Sequence, residues 1–95
     1  MAGKLTQDEI DEKLSLLDEW GSDGASISRR FEFKNFKSAL AFVNKVGEIA
    51  EAEKHHPDIE LGWGYANILF TTHDAGGLTA SDFKLAELVD KLITA

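Results

Sequence analysis

A chain of 95 residues with 43% hydrophobic and 28% charged side chains has the size and composition of one small globular domain, residues 1–95. Its net charge of −7, from 17 acids against 10 bases with no basic stripe, disfavours direct contact with nucleic acid. No apolar run approaches the roughly 20 residues that cross a bilayer, the opening MAGKLTQDE lacks a signal-peptide core, and the lack of cysteine removes disulfides and thiolate zinc sites, so a cytoplasmic protein is expected, with the nucleus also open to it.

The segment LTQDEIDEKLSLL starts a helix. Thr6 caps it, Glu9 three residues later completes a capping box, and Leu5 and Ile10 occupy the staple positions. Ile10, Leu14 and Leu17 give it a narrow apolar stripe. A turn follows around Gly21 and Gly24. Residues 26–33, SISRRFEF, alternate: Ile27, Arg29, Phe31 and Phe33 share one face of a half-buried strand. Whether EWGSD pairs with it as a short strand is left open.

The longest helix is expected in NFKSALAFVNKVGEIAEAE, capped by Asn35. Phe36, Ala39, Leu40, Val43, Val46, Gly47 and Ala50 follow helical spacing, and Phe42 and Ile49 widen the apolar arc to about half the circumference. An arc that wide suggests a second contact beyond one sheet face. Pro57 biases His56 away from helix, so the helix ends before the histidines. Residues 59–73 read as a hairpin: Ile59, Leu61, Trp63 and Tyr65 alternate, and a second strand runs from Ile68 to Thr72. Thr79 and Asp82 start a last helix, with Leu85, Ala86, Val89, Leu92 and Ile93 as its buried stripe. The sum is an α+β, two-layer domain, an antiparallel sheet of about four strands with about three helices on one face.

The chain has three histidines, and two of them, His55 and His56, are adjacent and locked against its only proline, Pro57. Histidines at loop edges are ordinarily just solvated. Here Glu48, Glu51 and Glu53 crowd a helix C-terminus, where negative charge is unfavourable. Neighbours in extended backbone also point to opposite sides, so the two rings are expected to do different jobs. His73 ends the second hairpin strand, ahead of Asp74 and the Gly76-Gly77 pair, and a hairpin can return it to the neighbourhood of His55. Adjacent histidines chelate one ion poorly, so no metal site is expected. There is no GxSxG elbow and no phosphate-binding glycine loop. Acid–base chemistry by imidazole, which titrates near neutrality, is the remaining reading. The aromatic residues could wall a ring-shaped substrate, although most of them are expected in the core.

The spacing Glu51-x3-His55-His56-Pro57-x5-Trp63-x9-His73-x8-Asp82 resembles the signature of the pterin-4a-carbinolamine dehydratases. The likeness covers the second half of the chain, and the first half agrees in layout, including Trp20 between the first helix and the first strand. The resemblance implies elimination of water from 4a-hydroxytetrahydrobiopterin to give the quinonoid dihydropterin, in tetrahydrobiopterin recycling, with no metal or organic cofactor. It implies His55, His56 and His73 as the catalytic set, with Glu51, Pro57, Trp20, Thr72 and Asp74 binding or surrounding the substrate. His55 and His73 are expected to move protons and His56 to orient the pterin, with Glu51 holding a neighbouring ring and favouring its charged form. Asp82 is expected to be a cap residue rather than a catalyst.

Vertebrate members of the family carry an acid before the histidine pair, a cysteine two positions after the third histidine and an arginine before the aspartate. Here those positions hold Lys54, Ala75 and Ser81, which leaves the acid–base set intact and alters the rim. The resemblance also implies a homodimer or homotetramer. Some animal members act as dimerisation cofactor and coactivator of a homeodomain transcription factor, so an interaction module is the alternative function.

Overall fold

The computed structural model describes residues 3–93. Helix α1 covers Gln7–Leu14, and both halves of its capping box form: Thr6 Oγ1 accepts the Glu9 N–H at 3.2 Å and the Glu9 carboxylate accepts the Thr6 N–H at 2.9 Å. Strand β1, Gly21–Ser22, pairs antiparallel with β2, Ile27–Glu32, so the short strand left open by the sequence exists. Between them the Asp23 carboxylate accepts the N–H groups of Ala25 and Ser26. These donors favour its charged form and hold its carboxyl below the usual carboxylate range.

Helix α2 runs Phe36–Glu53, with Asn35 Oδ1 accepting the Ser38 N–H at 2.8 Å. It ends at Lys54, which is left-handed at φ 56°, and the His55 N–H returns to the Ala50 carbonyl at 3.1 Å. This is a Schellman-type termination, made here by lysine where glycine is usual. Strands β3, Asp58–Gly62, and β4, Tyr65–Phe70, form the hairpin. The turn falls at Trp63-Gly64, earlier than the alternation suggests, and Tyr65 belongs to the second strand rather than the first. Gly64, at φ 78°, reverses the chain there, and its carbonyl accepts the Phe33 N–H at 2.8 Å. A Cβ on Gly62 would come within 2.3 Å of the Tyr65 ring, so glycine admits that ring across the turn. Helix α3 covers Ala80–Lys91.

The four strands form one antiparallel sheet in the order β1-β2-β4-β3. Register puts Ile27 opposite Phe70, Arg29 opposite Ile68 and Phe31 opposite Ala66. These residues make the inner face, against which α2 and α3 pack while also touching each other. Helix α2 buries Ala39, Phe42, Val46 and Ala50. Phe42, which widens the apolar arc in the sequence, therefore lies in the core, with its ring 4.6 Å from Phe31 and 5.1 Å from Phe33. Phe36 and Leu40, read from the sequence as part of the main stripe, are 43% and 39% exposed. In α3, Phe83 joins Leu85, Ala86 and Val89 in the core, while Ile93 lies beyond the helix end and is exposed. Among the described residues no helix is long and apolar enough to cross a membrane.

Candidate functional site

The left-handed turn at Lys54 and the bend after β4 bring two stretches of chain together. Residues 54–56 form one wall of a cleft of about 240 Å³, and residues 71–74 form the other. His73 opens a single 3-10 turn, His73–Ala75, closed by Gly76 at φ 73°. Its ends are clipped by a bridge in which the Thr72 N–H donates to the Gly77 carbonyl at 3.0 Å. His55, His56, His73, Thr72 and Asp74 thus meet in one cleft, although 14 residues separate the two walls in the chain.

The adjacent histidines have different environments. The His55 side chain is only 17% exposed, its Nε2 lies 2.5 Å from Asp82 Oδ1, and its ring is stacked nearly parallel to Phe70 with centroids 6.1 Å apart. His56 is 61% exposed and pairs with Glu51, which is itself mostly in solvent. One ring is held against the protein and the other stands at the mouth. A surface pair such as His56–Glu51 contributes roughly 0–1 kcal/mol, so it guides a ring rather than fixing it. His73 is exposed.

Asp82 has a second task that the sequence did not reveal. It caps α3, its Oδ2 accepting the Thr79 N–H at 2.9 Å, and the same oxygen accepts the Thr72 hydroxyl at 2.8 Å. The motif spacing includes Asp82, but its contact with His55 crosses 27 positions and no local rule signals it. Lys54 and Thr71 also line the cleft. Glu51 touches it only through His56, and Pro57 is not among its walls.

Trp20 is not in the cleft either. It is buried, its indole N–H donates to the Asp90 carboxylate at 2.9 and 3.0 Å, and Asp90 also takes Arg29 Nη1 at 2.9 Å. The Trp20 ring lies 6.2 Å from Phe70, so it backs the residue on which His55 stacks. A wider cleft, about 630 Å³, opens beside Arg29 and Asp90, but no imidazole faces it. Among the described residues no three histidine, aspartate or glutamate side chains converge as a set of metal ligands.

An antiparallel α+β fold of this kind is shared by a family of hydro-lyases. The chain belongs to the pterin 4 alpha carbinolamine dehydratase family, whose model matches residues 3–92. A provisionally named pterin-4-alpha-carbinolamine dehydratase of Picosynechococcus sp. is 52% identical over 97% of this chain and 100% of its own length. One from Roseiflexus sp., also provisionally named, is 45% identical over 98% of this chain and 100% of its own. Among solved structures, a transcriptional coactivator/pterin dehydratase from Brucella melitensis superposes with a TM-score of 0.89 at 33% identity, covering 95% of this chain and 98% of that one. A pterin dehydratase-like protein identified as a RuBisCO assembly factor in the alpha-carboxysome, at 23% identity and TM-score 0.65 over 80% of this chain and 88% of that one, shares the fold.

Proposed function

We propose that the protein eliminates water from 4a-hydroxytetrahydropterin, biopterin being the expected form, by histidine general acid–base catalysis. The observation that carries this reading is the meeting of His55, His56 and His73 on one cleft, with His55 anchored to a buried carboxylate. In the reaction the N5–H bond breaks, its electron pair forms the N5–C4a double bond, and the C4a–O bond breaks as the departing hydroxide gains a proton. One neutral imidazole and one imidazolium satisfy that balance, each transfer contributing roughly 10²–10⁴-fold. His55 and His73 are the proton-transfer pair, and His56, at the mouth with Glu51, orients the pterin. Thr72 and Asp74 lie beside it as wall residues, Pro57 fixes the backbone at His56, and Trp20 acts at one remove through Phe70. The reaction needs no metal or organic cofactor, and a cytoplasmic setting, or a nuclear one, suits it.

The test is turnover of freshly generated 4a-hydroxytetrahydropterin with the spontaneous reaction subtracted. Acceleration at micromolar protein that survives extensive chelation is expected. A rate equal to background rejects the enzyme reading, and activity lost in chelator and restored by one specific metal rejects the metal-free mechanism.

A second reading, an interaction module, is favoured by one observation. Phe36 and Leu40 are exposed on α2, and Val43, half-buried beside them, extends their row at helical spacing. Such a row suits a helix from another chain. A second copy, giving a homodimer or homotetramer, and the dimerisation helix of a transcription factor are the two partners that the family resemblance suggests.

A further inference from the structure

The fully buried carboxylate of Asp82 uses its two oxygens differently. Oδ2 accepts the Thr79 N–H at 2.9 Å and the Thr72 hydroxyl at 2.8 Å, which leaves Oδ1 for His55 Nε2 at 2.5 Å. The Thr72 hydroxyl has one proton. Having given it to Asp82, it can only accept from Thr79 Oγ1, 2.9 Å away. The hydroxyls therefore run in one direction, from Thr79 to Thr72 to Asp82. A carboxylate has no proton to give, and between a carboxylate and the more basic imidazole the shared proton sits on the ring, so Oδ1 accepts and His55 presents an N–H at Nε2. In the neutral ring this puts the lone pair on Nδ1. Nδ1 has no hydrogen-bond partner among the described residues. The only buried side-chain nitrogen or oxygen without one there is Arg29 Nε, so Nδ1 is reachable by solvent on a ring that lines the cleft.

We infer that Asp82, aligned by Thr72 and Thr79, is the positioning residue that fixes the tautomer of His55, and that His55 accepts its proton at Nδ1. The identity of that proton, N5–H of the hydroxypterin, rests on the dehydration reading above. The tautomer does not rest on it. The N5–H bond breaks toward Nδ1, its electron pair forms the N5–C4a double bond, and hydroxide leaves C4a as water with a proton from His73. The resulting His55 imidazolium still donates from Nε2 to Asp82, so the anchor holds throughout the step.

The test is 15N NMR of the histidine rings combined with kinetics. In the wild-type protein, neutral His55 is expected as the Nε2–H tautomer. In Asp82→Asn, the Thr79 N–H and the Thr72 hydroxyl still require an acceptor, so they hold the amide oxygen in the place of Oδ2. The amide NH2 then faces His55, and the ring is driven to the Nδ1–H tautomer. A base in the wrong tautomer loses its acceptor, so kcat should fall by about 10²–10⁴-fold with KM nearly unchanged. A wild-type His55 in the Nδ1–H form overturns the inference, and that measurement needs no variant to fold. An unchanged tautomer in Asp82→Asn, or a flipped one with wild-type kcat, also overturns it. If the tautomer behaves as described but the wild-type protein does not dehydrate the carbinolamine, the positioning stands and the dehydration reading falls.

Discussion

Replacing His55 with alanine is expected to lower kcat by about 10²–10⁴-fold, because in the proposed mechanism it is a proton acceptor used only in the transition state. His73→Ala should fall in the same range, and the double variant should lose less than the product of the two, since the residues act as a unit. His56→Ala should behave differently. Its ring stands in solvent with Glu51, and loss of one orienting contact, about 1 kcal/mol, should raise KM several-fold and leave kcat almost unchanged. Single-turnover and steady-state kinetics on the same preparations separate these effects, with circular dichroism confirming the fold of each variant. Wild-type kcat in both His55→Ala and His73→Ala would exclude the acid–base mechanism.

Phe42→Ala should be the most damaging change outside the cleft. The ring is buried against Phe31 and Phe33, and deleting it is expected to cost about 3–5 kcal/mol. A domain of this size holds only about 5–15 kcal/mol in all, so the urea midpoint should drop steeply or the protein fail to fold. Leu40→Glu should do the opposite. Leu40 is exposed on the same helix, so a charge there should leave the circular dichroism unchanged while lowering the mass measured by light scattering. A wild-type protein that is monomeric at every concentration would count against self-assembly through α2. An unchanged urea midpoint in Phe42→Ala would count against the core packing described above.

The contrast between these residues marks the limit of the sequence. Capping at Thr6, Asn35 and Thr79, the alternation of β2 and the helix stop ahead of Pro57 are local rules, and each is realised in the fold. An apolar arc spanning half of α2 is another matter. It says that much of the helix surface avoids water, but not which half the sheet covers, and the sheet took the side with Phe42 rather than that with Phe36 and Leu40. Apolar alternation runs unbroken through Trp63 to Tyr65 and so hides the hairpin turn, which the left-handed conformation of Gly64 marks. Within the site, the bias toward extended backbone before a proline is enough to expect different environments for His55 and His56. The partners of the buried groups have no such local signal. Asp82 lies 27 positions from His55, and Asp90 lies 70 from Trp20, so each pairing depends on how the layers close.

The residues ahead of α1 take part in that closure. The Leu5 N–H donates to the Leu78 carbonyl at 2.8 Å, and Lys4 packs over Gly77. Leu78 is itself buried and immediately precedes Thr79, the first member of the hydroxyl relay. Lys4 and Leu5 therefore serve as a latch on the segment that leads into α3. Hydrogen exchange at the Leu5 amide reports on that latch, and protection there should fade before the sheet amides begin to exchange. A fusion partner joined rigidly ahead of Leu5 would pull on the same bond.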